Sequence, residues 1–391
     1  MHRSEKQILC THIGSFGRPP DLLKLLMDRH EGRPVDEAAL AGAISEGVTQ
    51  AFRRQVEIGI TVPNDGEQSK ISYAGYLKDR LSGIEMRDMP QGSIRVGAEE
   101  AQFPEYYRLH GHRSKPIPGG ATKNRYPCCV GPLAWKDFSL VEQDIANLRA
   151  ASAGAEVADV FMTAPSPSVA AVWQPNMYYK SEDEYRYAVA DAMKREYDAI
   201  VAAGFILQID CPDLMMVFRM RKPGSTLEQF RERISRNIEI LNHATRDIPP
   251  ERARIHVCCG AGQAPHTEDP PLEGVIDILL RARPQGLTFV AANGRHEHEW
   301  RVWEKVRLPE GKIIIPGVID STTNIVEHPE TVADRIERFA KLVGRENVIA
   351  GVDCGFDTTA DYGQVVPEVA WAKLAALGEG ARVASRRLWP S

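Results

Sequence analysis

From residue 181 onward, short apolar runs alternate with longer amphipathic stretches at a regular pitch. SEDEYRYAVADAMKREYDAIVAAG places Ser181 three residues before Glu184, a capping box, and ends on Gly204, a helix stop. FILQID follows as a short apolar run of the kind that forms a buried parallel strand. STLEQFRERISRNIEILNHAT repeats the helical pattern, with Ser225 and Glu228 as its cap, and ARIHVC follows it. The series continues with helix PPLEGVIDILLRA, strand GLTFVAA, helix RHEHEWRVWEKV, strand KIIIPGVID, helix PETVADRIERFAKLVG, strand NVIAGVDC and a last helix near PEVAWAKLAALG.

Strands and helices alternating in this way predict right-handed βαβ units around a parallel sheet. The N-terminal half continues the theme less regularly, with strands at ILCTHIG, near TVPND and at YPCCVGP, and a long helix over EAALAGAISEGVTQAFRRQVEIG. Residues 85–125 show no clear period and are rich in Gly, Pro and Arg, which predicts an excursion over the mouth of the fold. VADVFMTAP is a ninth candidate strand, one too many for eight, and is assigned to a second inserted excursion at about 155–180. The expected fold is α/β, a (β/α)8 TIM barrel forming one domain over 1–391. An open doubly wound sheet would alternate too, but HIGSFGRPP lacks the GxGxxG of a dinucleotide-binding turn.

Composition narrows the class further. The 391 residues are 43% hydrophobic and 26% charged with net charge −5, and no basic stripe interleaved with aromatics is present, which argues against nucleic acid as a partner. No run of ~18 apolar residues offers a membrane span. MHRSEKQILC lacks the apolar core of a secretion signal, so a cytoplasmic location is expected. The seven cysteines, an odd number, fit reduced thiols used for metal or catalysis better than a disulfide framework. No surface pattern fixes the oligomeric state, and a homo-oligomer stays open.

The chemistry-bearing residues fall at the C-terminal ends of the expected strands: Asp210 after FILQI, His256 and Cys258 ending RIHVC, Asp320 after IIIPGVI, and Cys354 after VIAGVD. In a barrel those ends share the face on which active sites lie. His256 and Cys258 are two apart on a strand and point the same way, whereas Cys259 points the other way. One imidazole and two thiolates form a soft N/S set suited to Zn²⁺, and three protein ligands with an open fourth position is the catalytic pattern. Blander readings stand beside this one. HxC alone is a weak signal, and Cys128, Cys129 and Cys211 read as packing residues. His296 and His298 sit at a charged helix start, where solvated or capping roles are usual, and Asp210 before Cys211 and Pro212 suits a cap.

Six segments, THIGSFGRP at 11–19, NDGEQSK at 64–70, ILQIDCPDL at 206–214, HVC at 256–258, GVIDSTTN at 317–324 and GVDCGF at 351–356, resemble the C-terminal catalytic half of cobalamin-independent methionine synthase and its stand-alone relatives, in the family's order. Those relatives include the zinc-dependent epoxyalkane:coenzyme M transferase. The resemblance implies zinc held by His256, Cys258 and Cys354. It implies that Glu67 and Asp210 contact the polar end of a thiol substrate, and that Ile13, Gly14 and Ser15 line the same pocket. Three departures accompany it. Many members carry a glutamate ligand where LTFVAANG has Val290, so the fourth zinc position falls to water, substrate or a group such as Glu297 or His298. A histidine that delivers a proton to folate in the two-domain enzyme is replaced near Thr322. The N-terminal half of that enzyme is missing.

The expected function is a zinc-dependent thiol alkyltransferase with catalytic residues Glu67, Asp210 and Asp320, in which a thiolate attacks an sp³ carbon of a methyl donor or an epoxide; the partners are then a small-molecule thiol and an alkyl donor. Two alternatives remain at this stage: a zinc hydrolase or lyase that uses a bound water, and a degenerate barrel that binds ligand without turnover.

Overall fold

The computed structural model describes residues 1–88, 98–110, 125–219, 221, 224–360 and 363–390. Among the described residues nine strands run in chain order: β1 Leu9–Cys10, β2 Ile84–Asp88, β3 Arg125–Cys129, β4 Phe161–Pro165, β5 Ile206–Asp210, β6 Ala253–Val257, β7 Gly286–Phe289, β8 Ile313–Ile319 and β9 Ile349–Val352. Seven of them form one parallel sheet in the order β1-β9-β8-β7-β6-β5-β4, so every neighbouring pair from β4 to β9 is consecutive in the chain, as βαβ units require.

The sheet curls until its two edges meet a common segment. Thr11 forms a parallel bridge to Val62. The amide of Phe161 donates to Pro63 O at 3.1 Å, and that of Ala158 donates to Thr61 O at 2.9 Å. Residues 61–63, part of the expected strand near TVPND, therefore fill the eighth position between β1 and β4, and the architecture is a TIM-type barrel.

Two expectations are corrected. VADVFMTAP is no excursion: Phe161–Pro165 is a fully buried barrel strand in register with β5. The supernumerary strand is YPCC, which lies outside the barrel in β3 and pairs antiparallel with β2. The apolar character of both runs is similar, and only the pairing partner tells them apart. The excursion expected at 85–125 falls largely outside the described residues; those described within it form the end of β2 and the helices Ala98–Gln102 and Pro104–His110.

The helices follow their caps. Ser181 Oγ accepts from the amide of Glu184 at the start of Glu182–Ala202. The next cap lies one residue later than expected. Thr226 and Gln229 form the reciprocal box that opens Leu227–Ala244, with Thr226 in the extended backbone a cap needs. RHEHEWRVWEKV does not make an α-helix but a 3₁₀ segment, Glu297–Glu304.

The barrel interior below the strand ends is polar and tied together by hydrogen bonds. Arg254 is completely buried and lies over the Phe161 ring at 3.9 Å. Its guanidinium donates to Gln208 Oε1, Thr11 Oγ1 and His12 O at 2.9–3.1 Å. Gln208 in turn donates to Ile13 O and to Asp210 Oδ1. A buried cation with three acceptors ties β1, β5 and β6 into one floor, and breaking such a network on one side costs several kcal/mol, about 3–5. The floor supports what stands above it.

Candidate functional site

The strand register assembles the site. Asp210 pairs with His256 across β5 and β6, and His256 pairs with Thr288 across β6 and β7. Residues level with one another in a parallel sheet point to the same face, so all three project into the barrel. Cys258 lies two residues beyond His256 on the same side. Cys354 arrives from the end of β9, and the ligand atoms of His256, Cys258 and Cys354 all lie within 4.8 Å of one another, each residue buried.

Three observations bear on whether this trio suits a metal. His256 Nδ1 lies 2.9 Å from Thr288 Oγ1, which leaves the other ring nitrogen, Nε2, buried and without a hydrogen-bond partner. With Nδ1–H donated to Thr288, the lone pair of Nε2 is the free one, the arrangement common to metal-binding histidines. The two thiols compete for one proton. The bond from Cys354 pulls Cys258 well below its ordinary pKa and, with burial, pushes Cys354 well above it. Burial opposes charge on His256, yet the adjacent Cys258 raises its pKa. An orphaned imidazole nitrogen beside a polarised thiol pair is a donor set that fits zinc.

Val290 fills one flank, buried in a small cluster with both thiols. It is held there by Asp353, whose carboxylate accepts the amides of Ala291, Ala292 and Asn293 at 2.6–2.9 Å. Burial raises the Asp353 pKa to about 6 against the pull of those bonds. Gly317 is required opposite, since a Cβ there would lie 1.9 Å from Asp353 Oδ1. Neither group considered for a glutamate's place joins the trio: Glu297 faces Arg335, and His298 is exposed.

The trio opens into a cavity of about 290 Å³, lined among others by Ile13, Ser15, Glu67, Asp210, Tyr73 and Trp173. Glu67 sits at φ +54°, a strained left-handed conformation for a residue with a side chain, of the kind kept where geometry matters. Its Oε1 accepts from Thr163 Oγ1 at 2.8 Å, while Oε2 is buried with no partner. Lys70 Nζ donates to Thr163 O from behind. Asp210 faces the same space, and burial pushes its pKa up to about 7, helped by the Glu67 charge and opposed by His256. Gly14, at φ +134°, passes so close that a Cβ would lie 2.8 Å from Thr163 Cγ2 and 3.0 Å from Glu67 Oε1. That close approach seats the Ile13–Ser15 backbone against Glu67.

Asp320 is not brought to the cavity. Its Oδ1 accepts the amide and hydroxyl of Thr322 at 2.8 Å, so the carboxylate closes its own turn. His296 also differs from expectation. It stands at the N-cap position of Glu297–Glu304 but does not cap with its side chain, which is buried between Asp269 and Glu299 at 3.0 Å each. Sequence reasoning missed the aromatic wall in which Trp173 Nε1 donates to the Tyr73 hydroxyl at 2.9 Å, because Trp173 follows the strand mistaken for an excursion. It also missed Arg219, which lines the cavity from the loop after β5.

Among the described residues no helix is long and apolar enough to cross a membrane. No family model matches the chain. The chain is 23% identical over 381 residues to a methionine synthase of Saccharolobus solfataricus, covering 97% of this chain and 95% of that protein. It is 24% identical over 346 residues to a methionine synthase of Sulfolobus acidocaldarius, covering 88% and 84%. Among solved structures, the B12-independent methionine synthase of Shewanella sp. W3-18-1, in complex with selenomethionine, superposes with a TM-score of 0.72 at 20% identity over 97% of this chain and 99% of that one. The putative B12-independent methionine synthase of Listeria monocytogenes gives 0.63 at 17% identity over 98% and 100%. End to end, the chain is similar in sequence to curated methionine synthases, and it shares its barrel fold with B12-independent methionine synthases of known structure.

Proposed function

We propose that the protein is a thiol alkyltransferase in which zinc, held by His256, Cys258 and Cys354, activates a small-molecule thiol for attack on an sp³ carbon. The observation that carries this reading is the buried, unpartnered Nε2 of His256, fixed by Thr288 and facing two thiols that contend for one proton. Zinc, when bound, would lower the pKa of a coordinated thiol so that it is a thiolate at neutral pH.

The chain's own residues supply the rest. The unpartnered Oε2 of Glu67 and the carboxylate of Asp210 form an acidic end suited to a cationic group such as the ammonium of an aminothiol. Ser15 and the backbone beside it flank that end. Tyr73 and Trp173 form an apolar wall that limits water at the reacting sulfur. Homocysteine has the ammonium and thiol this arrangement calls for, consistent with the methionine synthases among the relatives. A methyl donor is the electrophile these relatives suggest, and an epoxide satisfies the same sp³ geometry.

The test is zinc-loaded enzyme incubated with homocysteine and a panel of methyl donors and epoxides, with S-alkylated product quantified beside the Cys258→Ser and His256→Ala variants. Product that requires both His256 and Cys258 supports the proposal. Equal product from the ligand variants, or zinc stoichiometry unchanged by them, refutes it.

A further inference from the structure

We infer that the substrate bearing the sp³ carbon carries an oxyanion, a carboxylate or phosphate group, and that Arg219 at the cavity wall binds it. This inference rests on the thiol-alkylating reading above and extends it to the second substrate. The cavity has two poles. Glu67 and Asp210 make one acidic, and Arg219 is the only Lys or Arg among the described residues that line it. The proposed zinc site does not need this cation: Zn²⁺ with two thiolates and a neutral imidazole is formally neutral.

Arg219 is held in place more firmly than an exposed arginine would be. Its Nε lies 3.2 Å from Asp269 Oδ1, and Nη1 lies 3.2 Å from His266 Nδ1. Asp269 has no exposed side-chain surface, and its other oxygen is bonded to His266 at 2.6 Å and His296 at 3.0 Å. His296 in turn is bonded to Glu299, which accepts the amide of Leu272 at 2.8 Å. Burial would discharge His296, but its bonds to Asp269, Cys259 and Glu299 push its pKa up to about 12.

This chain of buried groups is unused by the thiol chemistry, and its far end is the Arg219 guanidinium. Nη2 of Arg219 has no hydrogen-bond partner among the described residues. It lies over Gly260, where a Cβ would approach to 2.9 Å. Gly260, at φ +96°, thus keeps that edge of the fork clear. A planar fork fixed on one edge and open on the other is prepared for a carboxylate or phosphate.

The pole also differs in position from the thiol's. Glu67 lies against Gly14, beside β1, while Arg219 follows β5 and packs on the loop after β6. The anion at Arg219 is assigned to the molecule that meets the thiolate, and a raised KM for homocysteine in Arg219→Ala would instead place the thiol's own carboxylate there.

The experiment compares glycidate with its neutral amide, glycidamide, as electrophiles for homocysteine on the zinc-loaded enzyme. In either case the thiolate sulfur forms a bond to an epoxide carbon, the C–O bond breaks, and the alkoxide takes a proton from water. The expected kcat/KM favours glycidate by about tenfold or more, the worth of one charge-assisted bond. Arg219→Ala abolishes that preference and leaves the KM for homocysteine unchanged; Arg219→Lys keeps part of it. Asp269→Asn, altering a positioning residue, raises the KM for glycidate more than it lowers kcat.

A preference for glycidate equal in wild type and Arg219→Ala overturns the inference. A second measurement does not depend on turnover: calorimetric titration with glycerate. Saturable binding to wild type, weakened about tenfold or more in Arg219→Ala, supports the anion site even if neither epoxide reacts, and in that case it is the thiol-alkylating reading that fails. No binding to wild type, or equal binding to the variant, overturns the anion site itself.

Discussion

Thr288→Val isolates the role of the buried hydroxyl that orients His256. Thr288 is fully buried, and its Oγ1 lies 2.9 Å from His256 Nδ1. Valine has nearly the same shape, so packing of β7 is retained while the acceptor is lost. A buried N–H left without a partner costs about 1–3 kcal/mol. The cost is met either in the protein as a whole or by rotation of the imidazole, and rotation spoils the presentation of Nε2. At about 1.4 kcal/mol per decade this is roughly a 10–100-fold loss of zinc affinity, in line with what losing an outer-sphere partner of a metal-bound histidine costs. The assay is competition against a zinc chelator of known affinity, with Thr288→Ser as the control that keeps an acceptor. Zinc affinity unchanged in Thr288→Val, with a large loss in His256→Ala, would refute the idea that Thr288 sets the ring.

Further expectations concern the flank, the acidic end, the backbone and the buried network. Val290→Glu adds a carboxylate beside the trio, in a position now occupied by an apolar group against both thiols; zinc retention rises and the affinity for homocysteine falls, read by chelator competition and by titration, and identical thiol binding in both proteins counts against the charge argument. Glu67→Gln removes the charge of the unpartnered Oε2 and raises the KM for homocysteine by about 10–100-fold, whereas an uncharged thiol such as 2-mercaptoethanol is affected little. Gly14→Ala, at φ +134° with a neighbour at 2.8 Å, destabilises the protein by about 1–3 kcal/mol in denaturant unfolding. His296 has a folded pKa pushed up to about 12, so its stabilising contribution is complete below its ordinary pKa of about 6.5 and declines as pH rises from there toward 12; thermal midpoints measured between pH 6 and 9 fall in wild type and fall less in His296→Gln.

The barrel was legible because Ile206–Asp210, Ala253–Val257 and Ile349–Val352 are short apolar runs bounded by helix caps and stops, with Asp210, Cys258 and Asp353 at or just past their ends. The convergence of His256, Cys258 and Cys354 followed from the same rule, since strand ends meet whatever their distance in sequence. What failed has physical causes. Phe161–Pro165 and the YPCC of Arg125–Cys129 are both short apolar runs, and the outer pair is set apart by its antiparallel partner, which no local period reveals. Asp320 ends a strand as Asp210 does, but Thr322 two residues later supplies an amide and a hydroxyl that turn its carboxylate away. His296 looked like a surface residue because its neighbours are charged; its partner Asp269 lies 27 residues earlier in the chain. Arg219 sits in a loop whose significance depends on Gly260 and Asp269, contacts that periodicity does not carry.

The central claim is that a thiol substrate binds directly to zinc held by one imidazole and two cysteines. X-ray absorption at the zinc edge tests it on the zinc-loaded protein with and without homocysteine. Two sulfur neighbours at ~2.3 Å and one nitrogen at ~2.0 Å are expected in the free enzyme, and three sulfur neighbours once homocysteine is added. A sulfur count that stays at two with homocysteine bound, or a zinc shell without two cysteine sulfurs, would contradict it.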